Sequence, residues 1–132
     1  MPASDERAAD CRAVEREIKE LERLCRELER SLVGGDWTSA ANTLRDSRRV
    51  THAFLNAMDA ARRWNDEAFE TAVLVRMRRL YDVRQDQLTR LEAFHEDVAK
   101  RLQELSRWKV FARSMRSKSA APRRTVGLDR RS

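Results

Sequence analysis

The sequence is short of the residues that interrupt helices and of those that fill the core of a sheet. Its 132 residues include three glycines, two prolines and 6% aromatic residues, whereas 38% are charged. This composition favours long helices over a sheet-built enzyme. No apolar run approaches the ~18 residues that a membrane-spanning helix requires, and residues 1–10 lack the apolar run of a signal peptide. We therefore expect one all-α domain in a cytoplasmic protein.

Motifs for catalysis or metal binding are also lacking. Cys11 and Cys25 lie fourteen residues apart on one predicted helix, about 21 Å along its axis, so they cannot form a disulfide with each other. His52 follows Thr51 on a second helix, and His95 falls on an apolar stripe of a third, where a histidine is more often a hydrogen-bonded core residue than a ligand. We predict a non-enzymatic protein without metal, cofactor or small-molecule substrate.

Positive charge is concentrated towards the C-terminal end. The net charge is +6, yet from Ser106 onward nine basic residues stand against one acidic residue, Asp129. Residues 1–105 are therefore close to neutral. Residues 117–132 contain no aromatic side chain on which a base could stack. We expect this segment to be a disordered basic tail; weak, salt-sensitive binding of nucleic acid by the tail is the least favoured of three hypotheses.

Two helices are predicted before residue 65. The first has a heptad seam of apolar residues and ends at Gly34-Gly35. This seam comprises Cys11, Val14, Ile18, Leu21, Cys25, Leu28 and Leu32, and Leu24 widens it. Asp36 is the predicted N-cap of the second helix, whose seam is interrupted by Ser47 and Thr51, so its middle is the expected place of local opening. The short connection makes the two helices an antiparallel hairpin.

Residues 65–115 contain neither glycine nor proline and predict a third helix about 75 Å long. It either extends beyond the hairpin or breaks near residues 81–86, and we favour a continuous helix. One apolar stripe, broken by Arg84, comprises Leu74, Met77, Tyr81, Leu88, Leu91, His95, Val98, Leu102 and Leu105. The other, interrupted by Gln87 and Arg101, comprises Phe69, Val73, Leu80, Phe94, Trp108 and Met115.

The pattern does not decide which stripe faces the core. We expect the last two-thirds of the third helix to supply the core seam, and its first third to expose more apolar surface than the hairpin covers. A fourth segment or a second copy of the chain covers this surplus, or a helix of a partner protein binds it. The predicted fold is an antiparallel bundle of three helices, or four, over residues 5–116.

The order of these features resembles the FliT family of flagellar export chaperones and, more distantly, the FlgN chaperones. The likeness covers residues 21–115, and its sharpest motif is Gly35-Asp36-Trp37, where a first helix ends and a second begins. A charged, arginine-containing run follows at residues 44–49, and the long helix closes at residues 102–111 with leucines, basic residues and aromatics.

The resemblance implies a cytoplasmic chaperone for flagellar type III export. It would bind the C-terminal helical segment of a secreted substrate, with the filament cap protein as the expected client, prevent premature assembly and deliver the client to the export apparatus. We assign partner binding to Val50, Phe54, Val73, Leu74, Leu80, Tyr81 and Val83. We assign a cover over this surface to Trp108, Phe111 and Met115. The alternative is a structural coiled-coil protein that forms a homodimer and has no client.

Overall fold

The computed structural model describes the backbone of residues 2–127 and the side chains of residues 3–118. Its helices are α1 (Pro2–Gly34), α2 (Trp37–Arg62) and α3 (Glu67–Gly127). Residues 2–127 contain no strand, so the predicted all-α class is confirmed. By its contacts the chain divides into two compact units, Met1–Thr89 and Arg90–Ser132. No described helix is long and apolar enough to cross a membrane.

The core of the first unit is formed by the predicted heptad seam of α1 and the apolar seam of α2. Every seam residue of α1 from Val14 to Leu32 is buried, as is Leu24. A connected apolar cluster comprises Val14, Ile18, Leu21, Leu24, Val50, Phe54, Met58, Ala61 and Val73. On α2, Ser47 is buried whereas Thr51 is exposed. The seven-residue repeat was therefore a reliable guide to the buried face of α1.

The turn between α1 and α2 follows from its glycine. Gly35 has a positive φ of 69°, a conformation that costs little only without a Cβ. Its amide donates to the Leu32 carbonyl, and the Asp36 amide donates to the Ser31 carbonyl, so the last carbonyls of α1 are satisfied. The Asp36 carboxylate then accepts from the Ser39 amide at 3.0 Å. The predicted helix stop and N-cap are both confirmed.

The turn between α2 and α3 uses asparagine in place of glycine. Asn65 has a φ of 51°, and asparagine tolerates this left-handed region better than other residues with a Cβ. The Asp66 carboxylate accepts from the Phe69 amide at 3.1 Å, so it caps α3. Arg7 of α1 donates to the same carboxylate at 2.7 Å. The boundary predicted at residues 65–66 is confirmed.

The N-terminal part of α3 packs against the hairpin through the second apolar stripe and Met77 of the first. Val73 is buried in the apolar cluster, and Phe69, Met77 and Leu80 pack against it. Gln87, which interrupts that stripe in the sequence, is fully buried. The expectation that the first third of this helix exposes surplus apolar surface is confirmed, because Leu74, Val75 and Tyr81 are exposed. The expectation that its last two-thirds supply the core was wrong, because the residues that pack in the core lie near its start.

The second unit begins at Arg90, within α3. Leu91, Phe94 and Val98 are half-buried, whereas Leu102 and Leu105 are exposed. A further set of exposed apolar side chains comprises Trp108, Val110, Phe111 and Met115. The described part of the second unit is a single helix. Within that described part, no other helix packs on these apolar side chains.

Helix α3 is continuous through residues 81–86, as predicted, and reaches Gly127. The expected disordered tail, residues 117–132, therefore overlaps the helix as far as Gly127. Serine, lysine and alanine after Met115 are compatible with helix, and extending a helix that already exists costs less than starting one. Residues 128–132, and the side chains after Lys118, lie outside the described part of the chain.

Candidate partner-binding surface

The seven residues assigned to partner binding do not form one surface. Val50, Phe54 and Val73 are buried members of the apolar cluster. A partner reaches them only if the helices separate, so we remove these three from the candidate surface. Their burial stabilises the fold. The sequence pattern alone does not distinguish an apolar side chain that packs in the core from one that contacts a partner.

Two of the remaining residues lie on an exposed stripe of α3. Leu74 is 66% exposed and Tyr81 is 60% exposed, and a spacing of seven places them on the same helix face. Leu88, another seven residues on, is also exposed. We call Leu74, Tyr81 and Leu88 the outer stripe. Val83 is exposed too, but two residues from Tyr81 it points away from this stripe.

A small cleft opens beside Tyr81, between the three helices of the first unit. Its volume is about 200 Å³. Its lining residues come from all three helices: Leu21, Cys25, Thr51, Met77, Leu80, Tyr81 and Arg84. We call this the three-helix cleft. Tyr81 belongs to both the cleft and the outer stripe. A partner segment bound on the stripe therefore lies close enough to the cleft to place one side chain in it.

Arg84 supplies the positive charge of the cleft. Its Nη2 donates to the Ser47 hydroxyl at 3.2 Å, whereas its Nε is buried and has no hydrogen-bond partner. Ser47 is itself buried. In the sequence pattern, Arg84 is visible only as a break in an apolar stripe. Its position in the heptad pattern could have indicated that it lies in the cleft, since an arginine at a seam position faces the neighbouring helices.

Cys25 and Gln87 form the polar neighbourhood next to the cleft. The Gln87 amide donates to the Cys25 carbonyl at 3.1 Å and to a Glu29 carboxylate oxygen at 3.4 Å. The Cys25 thiol donates to Gln87 Oε1 at 3.9 Å. Burial raises the pKa of this thiol, which keeps it protonated and a weak nucleophile near neutral pH. These groups order the interior of the bundle next to the cleft.

Arg76 fixes α3 against α1 near the cleft. Its guanidinium donates to Glu15 at 2.5 Å and to both carboxylate oxygens of Glu22, at 2.7 and 3.2 Å. Arg76 hydrogen bonds lower the pKa of Glu22 below its usual value. Because Arg76 precedes Met77 directly, this clamp positions the part of α3 that lines the cleft.

The three residues assigned to a cover lie in the second unit and are exposed. Trp108 and Phe111 contact each other edge to face, with ring centroids 5.8 Å apart and planes at 90°. Met115 is also exposed. An edge-to-face pair of this kind stabilises a local arrangement by about 0.5–1.5 kcal/mol. The assignment of these residues as a cover stays a prediction.

No group of three or more histidine, cysteine, aspartate or glutamate side chains among the described residues could hold a metal ion. His52 and His95 are both exposed, so the expectation that His95 is a core residue was wrong. Comparison of the chain with models of known families, with curated proteins and with solved structures finds no match.

Proposed function

We propose that the protein is a binding protein of the chaperone type, which holds an apolar helical segment of a partner on the outer stripe of α3. The observation that carries this proposal is the exposure of Leu74 and Tyr81 on one helix face beside the three-helix cleft. Exposed apolar anchors spaced along a helix are what a partner helix requires for docking. Large exposed apolar side chains in a row also mark interaction sites more often than scattered single ones do.

The resemblance to FliT-type chaperones supports a more specific version of the proposal. The client is then the C-terminal helical segment of a secreted flagellar protein, with the filament cap protein as first choice. The protein would work in the cytoplasm, prevent premature assembly of its client and hand it to the export apparatus. This assignment rests on the order of helices and on Gly35-Asp36-Trp37, which here forms the helix stop and N-cap described above.

A binding measurement with a designed variant tests the proposal. The full chain and its Leu74→Ser/Tyr81→Ser variant are titrated with a peptide of the filament cap protein's C-terminal segment, and helicity is measured in parallel. Since removing two central apolar anchors typically costs more than 2 kcal/mol, we expect the Kd to rise by about thirtyfold or more, with helicity unchanged. Leu55→Ser is the matched control, because Leu55 is exposed on α2.

Two results would contradict the proposal. One is a wild-type chain that does not bind the peptide. The other is a Leu74→Ser/Tyr81→Ser variant that loses helicity while its folded fraction binds normally, which would make both residues part of the core. An equal loss of affinity in Leu55→Ser would show a general effect of surface polarity instead of a defined stripe.

A second candidate is a homodimer without a client, and the second unit supplies the observation that favours it. Leu91, Phe94, Val98, Leu105 and Trp108 follow one another at spacings of three, four, seven and three residues, which places them on one face of α3. Leu105 and Trp108 are exposed. A second copy of the chain would bury this face in a coiled coil.

Light scattering of the full chain tests the dimer. If this candidate holds, the molar mass is twice that of the 15.5 kDa chain, and Leu105→Ser/Trp108→Ser returns it to the monomer value. A wild-type monomer at micromolar concentration would exclude the dimer. A dimer that also binds the cap-protein peptide would leave the first proposal standing.

A further inference from the structure

Arg84 carries a positive charge that no carboxylate among the described residues lining the three-helix cleft neutralises. It lines the three-helix cleft together with Leu21, Met77 and Leu80, which have no group that accepts a hydrogen bond strongly. Its guanidinium has five N–H donors. One nitrogen, Nη2, is bonded to the Ser47 hydroxyl, and Nε is shielded from solvent without an acceptor.

Such an arrangement is unfavourable for the free protein. A buried donor without an acceptor loses its hydration and gains no bond in return, and the loss is larger for a charged group. A hydroxyl such as that of Ser47 accepts a hydrogen bond but does not neutralise a positive charge. The neighbouring Cys25 thiol is uncharged as well, since burial raises its pKa. Among the described residues, those that line the cleft include no carboxylate, so an anion that pairs with Arg84 there would come from outside the cleft.

The shape and lining of the cleft narrow the chemistry of that anion. A volume of about 200 Å³ accommodates a side chain. A carboxylate carries one negative charge, matches the planar fork of the guanidinium and forms paired hydrogen bonds with it. A phosphate group near neutral pH carries more charge than the single Arg84 neutralises. The walls comprise the apolar Leu21, Met77 and Leu80 beside the hydroxyl-bearing Thr51 and Tyr81. The neighbours of the carboxylate in the bound segment should therefore be mainly apolar.

From this juxtaposition we infer that Arg84 binds an aspartate or glutamate of an amphipathic partner segment whose other contacts are apolar. This inference rests on the proposed function and deepens it, because it names what distinguishes the client from any apolar helix. The apolar side chains of the segment lie on the outer stripe, and the carboxylate enters the cleft past Tyr81. The guanidinium turns within the cleft so that the carboxylate supplies the acceptor it lacks.

A small-molecule experiment tests the cleft without any assumption about the client. The full chain is titrated with 3-phenylpropionate and, separately, with the uncharged 3-phenylpropanol, and the NMR signals of the Met77 methyl and Arg84 Nε–H groups are followed. We expect 3-phenylpropionate to shift both signals at concentrations about tenfold lower than 3-phenylpropanol needs, because a hydrogen bond to a charged group adds this much affinity. Equal titration curves for the two compounds overturn the inference.

The matched variants are Arg84→Gln and Arg78→Gln. Both remove one positive charge from α3, but Arg78 is exposed and does not line the cleft. We expect Arg84→Gln to abolish the preference for 3-phenylpropionate and Arg78→Gln to preserve it. Loss of the preference in both variants would indicate a long-range charge effect and would overturn the assignment to Arg84.

A double-mutant cycle then connects the cleft to the client. Each acidic residue of the cap-protein peptide is replaced in turn by its amide, and each peptide is titrated into the wild-type chain and into Arg84→Gln. One replacement should weaken binding to the wild type by about tenfold and leave binding to Arg84→Gln unchanged. If every replacement acts equally on both proteins, the inference fails although the proposed function stands. If the peptide binds neither protein, the proposed function fails, and the phenylpropionate titration still decides the chemistry of the cleft.

A stability measurement separates recognition from a purely structural role. The variant Ser47→Ala/Arg84→Met removes the hydroxyl and the guanidinium together and leaves an apolar chain in the cleft. We expect its urea midpoint to equal or exceed that of the wild type, while its preference for 3-phenylpropionate is lost. A lower midpoint together with an intact preference would show that Arg84 serves the fold and not the ligand.

Discussion

The two ends of the first unit contain the same three helices but differ in what fills the space between them. Towards the turn at Asn65, the core is apolar and comprises Val14, Ile18, Phe54, Met58 and Val73. Towards the turn at Gly35, the apolar Leu28, Leu32 and Ala40 are buried as well, but so are, wholly or in part, the polar side chains of Cys25, Thr43, Ser47, Arg84 and Gln87. We call these the apolar end and the polar end. Burial of apolar area stabilises both ends, but at the polar end part of the interior is occupied by groups that contribute through hydrogen bonds instead.

The difference teaches where a binding site can form in a small helical bundle. Apolar burial contributes about 25 cal/mol per Å², whereas a hydrogen bond between protein groups contributes only about 0.5–1.5 kcal/mol net. The polar end is therefore the cheaper end to open, and regions that bind ligands tend to be the less stable ones. The three-helix cleft contains Cys25 and Arg84, so it adjoins the polar end.

The largest expected effect is at the apolar end. Phe54→Ala removes a ring that is 5% exposed at the centre of the cluster, and replacements of this kind cost about 3–5 kcal/mol. The free energy of unfolding is measured by urea denaturation followed by circular dichroism. Leu55→Ala is the control, because Leu55 is half-exposed on the same helix and should cost below about 0.5 kcal/mol. A loss of less than about 1 kcal/mol for Phe54→Ala would remove the distinction between the two ends.

The next effect concerns the clamp between α3 and α1, and it depends on pH. Arg76→Met removes the hydrogen bonds to Glu15 and Glu22 and should cost about 1–2 kcal/mol near pH 7. Because Arg76 lowers the pKa of Glu22 from 4.5, the clamp's contribution is present above about pH 4.5. It is lost as the pH falls through the lower, folded-state pKa.

Urea denaturation of the wild type and of Arg76→Met, near pH 7 and again near pH 3, measures this contribution. The gap between the two proteins should shrink at the lower pH. Arg78→Met, at an exposed position two residues away, should show no such gap at either pH. A gap that grows on acidification would assign the stability to some other group.

A smaller effect is expected at the turn beside the polar end. Asp36→Ala removes the acceptor for the Ser39 amide and hydroxyl, and loss of an N-cap costs about 1 kcal/mol. Hydrogen exchange of the first turn of α2 should accelerate in step with this loss. Thr38→Ala changes an exposed neighbour without touching the cap, so a comparable loss in that variant would refute the capping role.

The smallest effect is expected at the turn beside the apolar end. Asn65 has a left-handed backbone, so Asn65→Ala should cost about 1 kcal/mol, whereas Asn65→Gly should cost less or stabilise slightly. Thermal unfolding midpoints of the two variants give the order. If Asn65→Ala proved more stable than Asn65→Gly, the turn would not require a positive φ.

The sequence specified the local structure of this protein more fully than its binding site. The seam of α1 and the cap at Asp36 were predictable because heptad spacing and N-cap chemistry act over a few residues. The buried stripe of α3 was not predictable, since both stripes have similar apolar content and the packing partners lie on two other helices. Arg84 and Gln87 are exceptions to the rule that polar residues face solvent. Both interrupt an apolar stripe in the sequence, yet Gln87 and the Nε atom of Arg84 are buried.

The exposure of the candidate residues was predicted in part, whereas their role in binding stays a prediction. Leu74 and Tyr81 are exposed and Leu80 lines the cleft, as expected of residues with surplus apolar surface. Val50 and Phe54 belong to the core, and no local pattern separates a core residue of a short helix from a contact residue. The cleft itself was missed because it forms only when side chains of all three helices meet.

Hydrogen exchange of the full chain, alone and with the cap-protein peptide, tests the central claim most directly. In the free protein, the amides of residues 25–32, 40–47 and 84–88 should exchange before those of residues 14–18, 54–58 and 69–73, because the polar end opens at lower cost. The peptide should slow exchange at residues 74–88 and at the polar end. Uniform exchange across the unit, or protection by the peptide confined to other segments, would contradict the account.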